Sequence, residues 1–237
     1  MKAVSLALLL ASISPMLWVQ TPELKTSVTQ LSGKEEAICI MEDSVPFCAR
    51  YDVSGLHTNW PWLNELIRKR VENDQPVLTA KHLPVPKDFP EQTEGNNQRQ
   101  YDVSLGSHYR DLVSIQYAGW DYGQGAAHGN PYASYVTYDA KTQQAVSFKD
   151  MVLPEKRAQL ELALARSFAA WLQSQGGDAE GQEQPKITDD VVFTPDGVMF
   201  YYNVYALGPY AMGAPELKLT WKQVLPLLKP QWRQRLQ

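Results

Sequence analysis

The stretch 116–139 reads QYAGWDYGQGAAHGNPYASYVTYD. Its flanks carry Tyr117, Trp120, Tyr135, Val136 and Tyr138, aromatic and β-branched residues that suit a pleated, half-buried surface. Its centre, Gly123-Gln124-Gly125-Ala126-Ala127-His128-Gly129-Asn130-Pro131, supplies positions that tolerate positive φ and a fixed turn. The pattern predicts a long hairpin whose glycines let two backbones approach closely. The rest of the chain reads as cover and extension of that hairpin.

Upstream lies a smaller hairpin, with strands at 35–42 and 45–53 around a two-residue turn, Asp43-Ser44. That register sets Cys39 opposite Cys48 and Ile40 opposite Phe47. Both sulfurs are expected on one face, with Ile38, Ile40, Phe47 and Ala49 on the other. Two cysteines so close together in a chain with an export-type leader point to a structural disulfide. A metal or redox pair would need CxxC spacing or further ligands, and neither is present. Residues 22–33 read as a polar lead-in. Thr58 or Asn59 is expected to cap a helix with Pro61 in its first turn and Leu63, Leu66, Ile67 and Val71 on its apolar side.

Downstream, strands are expected at 101–105, 112–120, 132–139 and 145–148. Pro154 then opens the longest helix, about 155–175, with Leu160, Leu164, Phe168 and Leu172 in one apolar row and Gly176-Gly177 ending it. Residues 178–186 read as a polar surface loop. Strands at 191–193, 198–205 and 216–221 and a short helix around 222–228 complete the chain. The fold class is α+β: an antiparallel β-sheet with one long and one shorter helix packed on it, in two sequential α/β subregions, 22–98 and 99–237. The polar tract 91–99 is taken as their join.

Composition narrows the function. At 44% hydrophobic and 20% charged, the 237 residues can bury an ordinary core. Residues 1–21 hold Lys2 and an apolar run at 3–11 of signal-peptide length, shorter than a membrane span. Export to the periplasm or beyond is expected, with no transmembrane segment in the mature protein. Lys2 is the one charged residue of that leader, so removing it makes the net charge of −4 one unit more negative. An acidic chain without a basic stripe argues against nucleic acid and favours a cationic partner.

No catalytic signature stands out. His57, His82, His108 and His128 are scattered, with no zinc-ligand spacing and no implied cofactor or metal. Asp121 and His128 could approach across the hairpin as a general acid/base pair, but a nucleophile and a third partner are missing. The plainer reading of His128 is a turn residue whose ring bonds a backbone carbonyl. Asp189 and Asp190 could be read as a glycosidase-type carboxylate pair, but as acids before a strand they are more simply solvated. The Gly123-x-Gly125 segment is no phosphate loop, because no helix follows it. Tyr201, Tyr202, Tyr205 and Tyr210 are dense; strand alternation buries about half of them, core packing is the plainer role for most, and an exposed tyrosine face would suit protein binding.

Two blocks carry a resemblance. Gly125-Ala126-Ala127-His128-Gly129-Asn130 runs on to Tyr138-Asp139 and Phe148-Lys149-Asp150. Asp196-Gly197-Val198-Met199-Phe200-Tyr201-Tyr202-Asn203-Val204-Tyr205 is followed by Gly208-Pro209-Tyr210-Ala211-Met212-Gly213 and Glu216-Leu217-Lys218-Leu219. Together, over about 101–228, they resemble the RsiV-like C-terminal domain family. Ala126 stands where that family usually has a second glycine, and Gly129 where it often has proline. Residues 37–73 look like the N-terminal partner domain often found with it, a domain that also precedes the catalytic part of a peptidoglycan deacetylase. The family's best-understood member is an anti-sigma factor whose extracellular part binds lysozyme. The sigma-binding and membrane-spanning segments of that protein have no counterpart here. The resemblance therefore implies a non-catalytic envelope protein that binds a protein such as lysozyme, or peptidoglycan. Tyr122, His128, Asn130, Tyr205 and Tyr210 are the expected binding residues, because loops on a rigid sheet commonly carry function. The rival expectation is a cell-wall hydrolase using Asp121 and His128.

Overall fold

The long hairpin forms. A computed structural model describes residues 23–89, 96–177 and 182–237; the leader at 1–21 lies outside the described residues. Strands β5 (Leu112–Tyr122) and β6 (Asn130–Asp139) pair in one uninterrupted antiparallel register, from Leu112 opposite Asp139 to Asp121 opposite Asn130. The glycines behave as anticipated at two points. A Cβ on Gly119 would sit 2.2 Å from the Tyr132 ring, and one on Gly129 would sit 2.1 Å from the Trp120 indole. Both side chains are seated on bare backbone.

The first hairpin also forms, from β2 (Glu36–Glu42) and β3 (Val45–Thr58). Asp43 and Ser44 both adopt positive φ, the geometry a two-residue turn needs to match strand twist. That turn puts Cys39 opposite Cys48, and the two form a disulfide with Cα atoms 4.1 Å apart. The outer edge of β2 is also paired at this point: Leu83 donates its N–H to the Cys39 carbonyl at 2.8 Å, and Cys39 is buried.

Residues 26–30, read from sequence as part of a polar lead-in, form strand β1 (Thr26–Gln30) along the second half of β3. All five residues are exposed, so no hydrophobic alternation marks the strand in sequence; long-range backbone pairing makes it. The helix cap also differs. Helix α1 (Pro61–Asp74) starts from Trp60, while Thr58 Oγ1 accepts from the Trp60 N–H and the Asn64 amide grips the Thr58 backbone at both N–H and carbonyl. Its apolar side buries Leu63, Ile67 and Val71 as the spacing requires.

One finding reshapes the architecture. Strand β4 (Gln98–Tyr109) pairs antiparallel with β5 but parallel with Arg50–Val53 of β3. The large sheet, seven strands among the described residues, is therefore mixed rather than antiparallel, in the order β1-β3-β4-β5-β6-β7, with β2 also on β3 and β7 spanning Gln144–Val146. The sheet runs unbroken across the expected join between 22–98 and 99–237.

A second, antiparallel sheet contains β8 (Val191–Thr194), β9 (Gly197–Tyr201) and β10 (Glu216–Thr220). A short helix α2 (Phe148–Met151), capped by Ser147, leads into α3 (Arg157–Ser174), which packs on β10. One core lies between α1 and the large sheet, around Tyr51, Ile115 and Tyr117. The other joins α3 to the small sheet, around Phe148, Phe168 and Phe200. Strand β8 rests on β4, β5 and β6, where Thr137 Oγ1 takes up the Ser114 hydroxyl and reaches the Val191 carbonyl.

The strand expected at 198–205 stops at Tyr201. From there the chain turns away, and Tyr205 takes φ +66°. The helix expected around 222–228 is α4 (Trp221–Val224) plus one 3₁₀ turn, and a further helix, α5 (Pro230–Leu236), follows it.

Candidate functional site

Strand alternation and the glycine turn together decide what the hairpin tip presents. Trp120 and Tyr122 share one side of β5 and stack nearly parallel, with centroids 6.0 Å apart and planes 9° apart. The Trp120 indole lies over Gly129. Beside it His128 stacks on Tyr210 at 3.8 Å, and Tyr210 in turn meets Tyr205 at 5.7 Å. Both His128 Nδ1 and the Tyr210 hydroxyl point at the Gly129 carbonyl, at 2.8 and 3.2 Å. This matches the plainer expectation for His128. The result is a row of rings along the tip: Tyr122, Trp120, then His128 with Tyr210, then Tyr205, which is 56% exposed.

The row is held from behind. Asn97 Oδ1 accepts the Gln124 N–H, while its amide donates to the Cys48 carbonyl, so the tip is tied to the disulfide hairpin. The segment after β9 is fixed along the outer edge of β6. There the Asn203 side chain accepts from Ala133 N–H and donates to Ala133 C=O, both at 2.8 Å, as a neighbouring strand would. Asp190 takes the Tyr135 N–H in the same way. Asp189 accepts from the Ser147 hydroxyl and the Lys149 N–H. Both acids thus fasten neighbouring backbone, Asp190 on β6 and Asp189 at the start of α2, while the Asp189 side chain stays 45% exposed.

Of the residues singled out in the sequence, Tyr122, His128, Tyr205 and Tyr210 thus fall into one row. Asn130 closes the ladder opposite Asp121 and is exposed beside it. Trp120, a strand residue outside the expected binding set, also belongs to the row. Its signal was its neighbour two residues on, Tyr122, on the same side of the strand.

Asp121 and His128 are not brought together. Asp121 alternates to the other side of the sheet, where it shares a cavity with Arg99, Tyr51 and Tyr132 at the end of α1. Burial pushes its carboxyl above the ordinary range, Arg99 pulls it down, and Glu42 adds to the rise. His128 lies beyond the β6 edge against Tyr210. The acid/base pair imagined across the hairpin does not exist in this geometry.

A shallow groove of about 490 Å³ opens on the Trp120 side of the sheet, among Gln30, Asp52, Ser54, Gln100, Asp102 and Trp120. Its polar groups are cross-linked: Gln30 donates to Asp52, and Ser54 to Asp102. Among the described residues there is no group of three or more His, Cys, Asp or Glu placed to hold a metal ion, and no helix long and apolar enough to cross a membrane.

No functionally curated protein matches the chain. Residues 148–222 match the family model described as a protein of unknown function (DUF3298). That span contains the long helix and the second of the two sequence blocks, and leaves out the hairpin. A DUF3298 family protein of Pseudomonas aeruginosa PAO1 has a similar fold, with a TM-score of 0.60 at 20% identity over 88% of this chain and 94% of that one. A DUF3298 family member from Bacteroides fragilis gives 0.58 at 15% identity, over 90% and 97%. Residues 148–222 therefore carry a DUF3298 domain, set in a fold that solved DUF3298 family proteins share.

Proposed function

We propose that this protein is a non-catalytic binding protein of the bacterial envelope or periplasm, and that the aromatic row at the hairpin tip receives a cationic protein such as a lysozyme. The observation that carries this reading is the row itself: aromatic rings on a backbone fixed by Asn97, Asn203 and the Gly129 carbonyl. Such rings contribute contact area at little cost in conformational freedom, because ordering has already been supplied by the fold. The acidic net charge supports a basic partner, and the export-type leader supports the location. The sequence resemblance to the RsiV-like C-terminal domain supports lysozyme in particular.

Calorimetric titration of the oxidised mature protein with a c-type lysozyme, at low and physiological salt, tests it. Saturable binding that weakens with salt, and that falls at least tenfold in Tyr205→Ala or Tyr210→Ala, is expected. No heat at either salt would remove lysozyme as the partner.

Peptidoglycan is the second reading, favoured by the groove beside Trp120. Its amides, hydroxyls and carboxylates around one indole suit a sugar chain, whose ring faces stack on aromatics while its hydroxyls take hydrogen bonds. Cosedimentation with purified sacculi, repeated with Trp120→Ala, separates it from the first.

A further inference from the structure

On the opposite side of the sheet from the aromatic row, a half-open cavity of about 220 Å³ lies between the end of α1 and strands β2 to β6. Its volume is several times the ~30 Å³ share of one water. One wall is apolar, from Ile40, Pro76 and Val77. The other is polar, and most of its charge is already matched. Arg99 holds both oxygens of Glu42 at 2.9 and 3.0 Å. Asp74 is taken by Arg70 at 2.6 Å and by the Tyr101 hydroxyl at 2.8 Å.

Two groups remain. Asp121 faces Arg99 across the β4–β5 ladder, yet among the described residues no cation comes within ion-pair distance of its carboxylate. The Tyr51 hydroxyl, in a residue only 1% exposed, closes no hydrogen bond of ordinary geometry; the Arg99 guanidinium is within reach of it but is engaged by Glu42, and Glu42 and Asp121 lie near. A buried hydroxyl left without a partner is costly, and natural structures carry few of them. Here that hydroxyl and an unpaired carboxylate face the same space.

We infer that this cavity is a binding site for a primary ammonium group on an unbranched alkyl chain, with Asp121 and Tyr51 receiving the ammonium and Ile40, Pro76 and Val77 lining the chain. An ammonium brings Asp121 a cation in direct contact, which Arg99, engaged by Glu42, does not supply, and three N–H donors for a carboxylate and a phenol oxygen. The Tyr51 and Tyr132 rings add faces suited to a cation. An anion would meet the unpaired Asp121 carboxylate, and the Arg99 guanidinium lining the cavity is already held by Glu42. A quaternary ammonium would bring charge without donors. The site is independent of the aromatic row, so either assignment can stand if the other falls.

The test is titration of the oxidised protein at pH 7 with n-butylammonium, n-butanol and butyltrimethylammonium, followed by amide chemical shifts. Saturable shifts at residues 74–77, 99 and 121 with n-butylammonium, at least tenfold weaker with the other two, are expected. Asp121→Asn should weaken n-butylammonium at least tenfold, and Tyr51→Phe about threefold, while lysozyme titration with Asp121→Asn stays unchanged. Equal response to n-butanol, no saturable shift with n-butylammonium, or unaltered affinity in Asp121→Asn would overturn the assignment and leave a water-filled cavity. Asp121 is half-buried at a strand end, so its substitution leaves the core intact. A matching thermal midpoint confirms that any loss is one of binding.

Discussion

Arg235 of α5 closes two hydrogen bonds, 2.8 and 2.9 Å long, on the carboxylate of Asp139 at the end of β6. The acid side chain is 2% exposed and the arginine 26%. Lys141 N–H also donates to the same carboxylate. The last helix of the structure is thereby pinned to the central hairpin.

Breaking that pair leaves a buried charge without its cation. Arg235→Gln is expected to cost about 3 kcal/mol, the low end for breaking a buried pair, because Arg235 keeps some solvent. Chemical denaturation with an unchanged slope checks it.

The same pair sets an acid limb. Burial alone would raise the Asp139 carboxyl; the Arg235 guanidinium and the Lys141 N–H reverse this and hold it below its ordinary range. A carboxyl depressed in the folded state contributes stability fully present above its unfolded value, about 3.9, and lost as pH falls through the folded value. Stability measured between pH 5 and 2 should therefore fall less steeply in Arg235→Gln than in the parent. Parallel curves would show that the pair does not govern the limb.

Reduction of Cys39–Cys48 opens a loop with a sequence separation of 9. Loop-closure entropy assigns this about 2.7 kcal/mol. A Cys39→Ser/Cys48→Ser double variant should lose about that much in guanidinium. Through Asn97 it should also broaden amide resonances at 124–129, which lie far from the disulfide in sequence.

Gly129→Ala drives a methyl into the Trp120 indole. About 1–3 kcal/mol of destabilisation is expected, as for other overpacked sites. A red shift in tryptophan emission as Trp120 leaves its seat should accompany it. Unchanged stability and emission would mean that the indole does not rest on that glycine.

His128→Ala separates a structural ring from a reacting one. Removing the ring stacked on Tyr210 is expected to cost about 1 kcal/mol. Any wall-hydrolysing activity, if detected, should persist. Loss of turnover with stability intact would revive the acid/base role.

The legible parts of the fold were those set by short-range rules. Two residues, Asp43 and Ser44, fix a register, and the register places Cys39 against Cys48. Leu160, Leu164, Phe168 and Leu172 announce α3 because burial repeats at helical spacing. The parallel contact of β3 with β4 left no local trace, since the partners Arg50 and Gln98 lie 48 positions apart and neither strand's side chains encode which neighbour is chosen. Strand β1 was invisible for a related reason: Thr26–Gln30 buries nothing. Tyr205 looked like strand because its composition is that of strand, but Asn203 replaces the backbone ladder and the chain leaves the sheet before it. In the site, Tyr122, His128, Tyr205 and Tyr210 could be anticipated from tyrosine density and the glycine turn. The separation of Asp121 from His128 required knowing where the ladder ends, because one residue of alternation decides the side.

The clamps that Asn203 and Asp190 set on β6 have a consequence for how molecules of this protein meet one another. An exposed run of backbone donors and acceptors invites a strand from another molecule, the first step towards fibres. Here the middle of that edge is sealed by side chains that satisfy both backbone groups of Ala133 and the N–H of Tyr135 without a strand being spent on them. In concentrated solution the protein should resist edge-to-edge polymerisation at β6, and Asn203→Ala, which unseals it, should be the variant that gels.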